Sequence, residues 1–257
     1  MLHELCLVSC KIFKKTLLIT ITSILPTQTQ LLKHNLNELS GHIPYNLPVS
    51  EEKKCRKIAA TKRIFDLLIS IPLFILCLPL MGIIYILVWI FMGKPVIFKQ
   101  VRMGWYGKPF MIYKFRTMTD ERDEKGNLLP DHMRITGLGK ILRSLRLDEL
   151  PQLINVIKGD LSLIGPRPVP PEIYESNDFF KGKRTFLRPG ITGLAQIEVF
   201  NREPWSVKVK YDIKYIDNWN LFLDIKIVLL TPPKVIREFY IAMRENENTG
   251  PSEQTRK

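Results

Sequence analysis

Arg143-Ser144-Leu145-Arg146-Leu147-Asp148-Glu149-Leu150-Pro151 is the stretch on which the reading of this chain turns. Two adjacent carboxylates follow two arginines and precede an apolar series, Leu150, Leu153, Ile154 and Ile157, at helical spacing. Pro151 fits a helix only near its first turn, where its missing N–H costs nothing. Asp148 and Glu149 are therefore predicted at a helix N-terminus, with the helix running on to residue 157. Free backbone N–H groups and the helix dipole there favour negative charge, from a side chain or from a bound phosphate. Alone, the stretch also fits a capped helix with surface arginines. The turns downstream favour a site: Gly159-Asp160, Gly165-Pro166-Arg167-Pro168 and Arg188-Pro189-Gly190-Ile191-Thr192-Gly193 set single arginines on rigid turns, which suits anion binding.

Upstream, residues 137–146 read as a short basic helix. Val96-Ile97-Phe98 and Phe110-Met111-Ile112-Tyr113 read as strands, joined by a hairpin turn at Gly104-Trp105-Tyr106-Gly107. Lys114-Phe115-Arg116-Thr117-Met118 alternates basic with apolar, placing Lys114 and Arg116 on one face. The acids of the next loop, Asp120, Glu121, Asp123 and Glu124, read as solvated. Downstream, Gly159 is a C-terminal helix stop. Pro166, Pro168, Pro170 and Pro171 hold the chain extended. Residues 201–219 are predicted helical, with Trp205, Tyr211, Tyr215 and Trp219 as core or as a membrane-interface belt. Residues 221–236, interrupted by Asp224, Lys226 and Pro232-Pro233, suit an interfacial amphipathic helix.

The N-terminal side carries the membrane signal. Residues 67–92 hold no charge and are long enough to cross a bilayer as a helix. Pro72 and Pro79 interrupt them, and basic residues flank both ends: Lys62 and Arg63 before, Lys94, Lys99 and Arg102 after. A basic frame at both ends suits a segment that dips into the membrane and returns on the cytoplasmic side. A simple spanning helix fits as well. Ahead of it, residues 1–50 are a poorly patterned extension. Lys11, Lys14 and Lys15 precede an apolar run, residues 17–25, that is too short to span. The division is thus an extension (1–50), a basic approach and membrane helix (51–95), a main domain (96–240) and a disordered polar tail (241–257).

Composition narrows the partner. The 257 residues carry a net charge of +13, with 46% apolar side chains, which implies an anionic partner. The apolar segment favours lipid over nucleic acid, for which no binding motif appears. Cys6, Cys10, Cys55 and Cys77 have no CxxC spacing, so neither a zinc site nor a disulfide framework is expected. His132 is the only histidine after His42, which denies the main domain a histidine cluster.

A membrane anchor beside an anion-binding site implies chemistry at the bilayer surface, between a lipid phosphate and a soluble phosphate. A carboxylate can attack phosphorus, given arginines or Mg²⁺ to neutralise charge, and the adjacent Glu149 could accept a proton. No Walker-type phosphate loop is present.

Lys114–Met118, Arg143–Pro151, Lys158-Gly159-Asp160, Gly165–Pro168 and Arg188–Gly193 together resemble the bacterial sugar transferase family, the monotopic polyprenyl-phosphate glycosyl-1-phosphate transferases. The likeness runs over residues 62–236. It implies transfer of a sugar 1-phosphate from a UDP-sugar to undecaprenyl phosphate with release of UMP. It also implies Mg²⁺ at Asp148, a covalent phospho-sugar intermediate on Asp148, and Glu149 as its catalytic partner. Lys114 matches the family's basic residue, and Arg143, Arg167 and Arg188 match family arginines near phosphate or nucleotide. The fold implied is mostly α with a small β-hairpin: an N-terminal re-entrant membrane helix, then a compact cytoplasmic catalytic domain with interfacial amphipathic helices at the bacterial inner membrane. Downstream glycosyltransferases are the implied protein partners. Three departures stand out: Leu78-Pro79 where the family often has Ser-Pro, Leu194 where Trp is common, and Glu198-Val199-Phe200-Asn201 in place of Asn-Gly-Arg-Asn. The competing reading is a non-catalytic basic scaffold at the membrane surface. Retention of both Asp148 and Glu149 favours the enzyme.

Overall fold

Helix α1, Val49–Met92, carries the membrane signal and is helical through Pro72 and Pro79. The structure, a computed structural model, describes residues 49–199 and 203–248. Residues 1–48, with nearly all of the predicted extension, lie outside the described residues, as do Phe200 and Asn201. Within Lys57–Met92 the most apolar stretch of 18 residues has a mean hydropathy of 2.7. Most of its buried positions form a stripe at four-residue spacing, Ile58, Lys62, Asp66 and Ser70, with Ala59 beside it, followed by Met81, Ile84 and Val88. The other faces expose Ile64, Leu68, Leu76, Ile86, Ile90 and Phe91. Among the described residues this is the one helix long and apolar enough to cross a membrane.

The predicted hairpin is present and longer than its sequence signal. Strands β1, Ile97–Met103, and β2, Pro109–Phe115, pair antiparallel from Ile97 opposite Phe115 to Met103 opposite Pro109. Tyr106 (φ 52°) and Gly107 (φ 70°) reverse the chain in left-handed conformations. Beyond it come short helices: α2 (Asp131–Arg134), α3 (Gly137–Ser144), α4 (Gln152–Lys158) and α5 (Pro171–Ser176). Thr136 caps α3 by accepting from the Gly139 N–H at 2.9 Å. Gly159 ends α4 with φ 94°, as its sequence position predicts. Then follow α6 (Leu194–Glu198), α7 (Trp205–Asp217) and α8 (Leu221–Asn248).

Three expectations need correction, and one element is added. The helix expected from residue 148 begins at Gln152, and residues 147–149 form a separate 3₁₀ turn, because Pro151 supplies no N–H to continue the turn into α4. The proline-rich stretch is extended only to Pro170; Pro171 then starts α5, where its fixed φ suits a first helical residue. Helix α8 runs through Pro232-Pro233 to Asn248, so the first part of the expected 241–257 tail is helical; residues 249–257 lie outside the described residues. A second sheet, unforeseen, pairs β3 (Ser162–Ile164) parallel with β4 (Gly190–Thr192).

That small sheet explains two motif glycines. A Cβ on Gly165 would lie 2.4 Å from the Arg188 carbonyl oxygen, and one on Gly190 would lie 2.1 Å from the Gly165 nitrogen. The two turns meet backbone to backbone, which only glycine permits. Gly165→Ala should therefore lower stability by about 1–3 kcal/mol, the usual cost of overpacking, read as a lowered midpoint of thermal unfolding in detergent.

The core gathers around α4. Leu153 and Val156 pack with Ile58, Ile112, Leu161, Ile164, Tyr215, Ile216 and Ile227. Each such side chain contributes about 1.5–3 kcal/mol on full burial. Tyr215, one of the four aromatics in its stretch, is 1% exposed and belongs to this core rather than to an interface belt. Beside it lies a buried polar network. Lys62 Nζ donates to Asp224 Oδ2 and to Tyr215 Oη, both at 2.8 Å. Tyr215 Oη donates to Asp224 Oδ1 at 2.6 Å, and Trp219 Nε1 to Asp224 Oδ2 at 3.0 Å. Asp66 accepts from Ser162 Oγ at 3.0 Å and from the Leu163 N–H at 2.9 Å. The network ties α1 to α7, α8 and β3.

Candidate active site

The 3₁₀ turn at residues 147–149 places Asp148 and Glu149 between α3 and α4, both buried. Arg146, just before it, has φ 55°, an uncommon conformation for a side chain with a Cβ. Its guanidinium reaches Glu238 Oε2 on α8 at 3.0 Å, so the last helix holds the turn. The far end of α4 is held equally firmly. Arg63 on α1 donates to the carbonyls of Val156 and Ile157 at 2.5 and 2.7 Å, and Arg188 Nε donates to the Gly159 carbonyl at 2.8 Å. Cations there satisfy carbonyls that a helix C-terminus leaves unpaired.

Around the carboxylates opens a cleft of about 1070 Å³. Lys114 Nζ, from β2, meets Glu149 Oε1 at 2.7 Å, and Arg167 meets the same oxygen at 3.1 Å. Arg167 is set by Arg184, which donates to its carbonyl at 2.5 Å and to Asp212 Oδ2 at 2.8 Å. Arg143 lines the cleft and donates through Nε to Thr117 Oγ1 at 2.9 Å. Lys114 and Arg116 share the cleft wall, as their alternation predicts. Of the expected solvated acids, Asp120 pairs with Arg116 at 2.5 Å and Asp123 accepts from the Lys125 and Asn127 N–H groups of its own turn.

Arg188 is the exception. It does not line the cleft; besides capping α4 it lies 4.1 Å over the Trp105 ring. The cleft residues that the sequence did not single out include Arg102, Arg146 and Gln196. Arg146 stood inside the decisive stretch, but nothing local distinguishes it from Arg143.

The two carboxylates are electrostatically unlike. Burial raises the Asp148 pKa most, the neighbouring Glu149 charge raises it further, and Lys114, Arg143 and Arg167 only partly offset this, leaving it at about 6. Burial also acts to raise that of Glu149, but Arg167 and Lys114 overcome it and bring it down to about 2. Glu149 is thus a fixed anion and a poor proton acceptor near neutral pH. Asp148 makes no hydrogen bond or ion pair with a described residue, and it faces the cleft with a basic carboxylate.

A bacterial sugar transferase family model matches residues 57–238, more than half of the chain. The chain belongs to the bacterial sugar transferase family. It is 51% identical over 177 residues to the uncharacterized sugar transferase EpsL of Bacillus subtilis, covering 68% of this chain and 87% of that one. It is 41% identical over 183 residues to the UDP-glucose:undecaprenyl-phosphate glucose-1-phosphate transferase of Klebsiella pneumoniae, covering 66% of this chain and 39% of that protein. It is 36% identical over 196 residues to the undecaprenyl-phosphate galactose phosphotransferase of Salmonella typhimurium, covering 68% and 40%. This sugar transferase therefore spans less than half the length of the latter two.

Among the described residues, no group of three or more His, Cys, Asp or Glu side chains converges to hold a metal. Mg²⁺ does not require one, since one or two carboxylates with substrate phosphates and water suffice. In this sugar transferase the Asp148 carboxylate, which has no hydrogen bond or ion pair among the described residues, fits that pattern. Val199, in the segment that departs from the family pattern, lines the cleft.

Proposed function

We propose that the chain transfers a sugar 1-phosphate from a UDP-sugar to undecaprenyl phosphate, releasing UMP, as the first step in building a lipid-linked surface glycan. The observation that carries this reading is Asp148, a carboxylate with no hydrogen bond or ion pair among the described residues, its pKa raised to about 6, set beside Lys114, Arg143 and Arg167 in a cleft. The Asp148 carboxylate attacks the β-phosphorus of the nucleotide sugar. The bond from that phosphorus to the bridging oxygen breaks, and UMP leaves with the electron pair. A phosphate oxygen of the lipid then attacks the same phosphorus, the Asp148–phosphorus bond breaks, and the carboxylate is restored. Lys114 and Arg167, held in place by Glu149, neutralise charge on the transferring phosphoryl group, and Arg143 faces the same space. Bound Mg²⁺ at Asp148 would supply further neutralisation of phosphate charge.

The membrane reading extends the same proposal. Both halves of α1 pack on the catalytic unit, Ile58 in one core cluster and Met81, Ile84 and Val88 in another. A helix packed on one unit at both ends suits re-entry from the cytoplasmic face of the inner membrane better than crossing. Helix α8 exposes Phe222, Ile225, Leu229, Ile236, Tyr240 and Met243 at helical spacing, which suits an interfacial face.

The test is capture of radiolabelled phospho-sugar on purified protein given a panel of UDP-sugars without lipid acceptor. Capture should require Mg²⁺ and stop on chelation. Because only ionised Asp148 attacks, the loading rate should level off above neutral pH and fall about tenfold per unit below pH 6. A protein that never carries label, yet makes the lipid-linked product, would refute the covalent route.

A further inference from the structure

A second void adjoins the cleft, and its chemistry is the opposite. It measures about 260 Å³ and is walled by Ile69 and Leu73 of α1, Leu150 just before α4 and Leu153 within it, and Val228 and Val235 of α8. Cleft and void share three residues, Arg146, Glu149 and Gln196. Gln196 is 8% exposed, and neither its amide nitrogen nor its oxygen has a hydrogen-bond partner among the described residues. A buried amide left unpaired costs about 1–3 kcal/mol, so an unpaired one at a junction marks a place for a ligand's polar atoms.

We propose that this groove seats the first isoprenoid units of the polyprenyl phosphate acceptor, with its phosphate at the shared rim between Gln196 and Arg146. The proposal rests on the transfer reading above and adds the place of the lipid. Apart from Thr192, Thr231 and Lys234 and the rim residues shared with the cleft, the lining is carbon, and it offers too few partners for the polar groups of a nucleotide base or a sugar. The void is far too small for a protein partner. One wall is the apolar helix itself, and Leu73 is 37% exposed on the same helix as the bare apolar faces, so a hydrocarbon tail enters without crossing water. At the other end Arg146 supplies the charge. It now rests against Glu238, a single carboxylate that a phosphate dianion can replace. A lipid seated this way delivers its phosphate within the residues that surround Asp148, while the nucleotide sugar keeps the polar cleft.

Val228→Trp fills the groove from α8, and Val235→Trp fills it from the same helix two turns on, should the first variant fail to fold. Each is compared with wild type for two quantities: the burst of UMP from UDP-sugar without acceptor, and the KM for undecaprenyl phosphate in detergent micelles. A folded variant should keep the burst and the KM for UDP-sugar while its KM for the lipid rises roughly tenfold or more. Gln196→Glu, which sets a carboxylate against the incoming phosphate, should raise the same lipid KM. An unchanged lipid KM in the folded tryptophan variants overturns the proposal. So does a rise seen only in phospholipid vesicles and not in phospholipid-free micelles, which assigns the groove to an ordinary bilayer lipid. Absence of the burst in the wild type sinks the transfer reading itself, and is told apart because it needs no groove variant.

Discussion

Asp148→Asn should abolish turnover, by roughly 10⁴-fold or more, because the amide has no charge with which to attack phosphorus and the remaining cations have nothing to assist. UMP release from UDP-sugar, with and without undecaprenyl phosphate, checks this, together with loss of the labelled adduct. The same variant should be more stable than the parent at neutral pH. The folded state raises the Asp148 pKa from 3.8 to about 6, so it holds the proton where the unfolded chain has already lost it. Stability therefore falls as pH rises from about 4 through 6, and above 6 the buried charge costs up to about 3 kcal/mol. Asparagine avoids that cost. Its stabilising effect should be largest at pH 7 and shrink to nothing towards pH 4, read as the difference in thermal midpoint. A variant that is inactive and no more stable at pH 7 would contradict the assignment of a raised pKa to Asp148. Glu149 works the other way: its lowered pKa contributes stability above about pH 4.5 that is lost as pH falls towards 2.

Asp224→Ala should produce the largest loss of stability. Asp224 is fully buried and accepts from Lys62, Tyr215 and Trp219, so its removal takes from the Lys62 ammonium, 2% exposed, the only carboxylate it is hydrogen-bonded to among the described residues. Breaking a buried pair on one side costs about 3–5 kcal/mol. For a chain of this size that is a drop of roughly 10 °C in the unfolding midpoint. The double variant Lys62→Met with Asp224→Leu should recover much of the loss, since replacing both charges removes the desolvation cost along with the attraction. If the double variant is as unstable as Asp224→Ala, the pair is not the source of the effect. The consequence reaches the active site, because Lys62 and Arg63 are neighbours on α1: one anchors the helix to α8, the other caps the helix that follows Asp148.

What the sequence determined by itself was local or compositional. The uncharged run of residues 67–92, the hairpin around Gly104–Gly107, the stop at Gly159 and the apolar series after Asp148 are all written within a few neighbouring residues, where periodicity and turn chemistry act. The motifs from Lys114 to Gly193 were enough to indicate the family. Only the tertiary structure decided which arginine does what. Guanidinium groups serve equally well against a carboxylate, a phosphate or a helix-end carbonyl, so Arg146 and Arg188 look alike until their partners are in place. Arg146 proves to border the cleft, and Arg188 to cap α4. Three-residue strands such as β3 and β4 carry too few positions for a pattern, and their pairing is set by the close approach of Gly165 and Gly190. Lys62 and Asp224 read as a charged flank and an interruption because burial is a property of what packs over a residue, and that packing comes from chain more than 150 positions away.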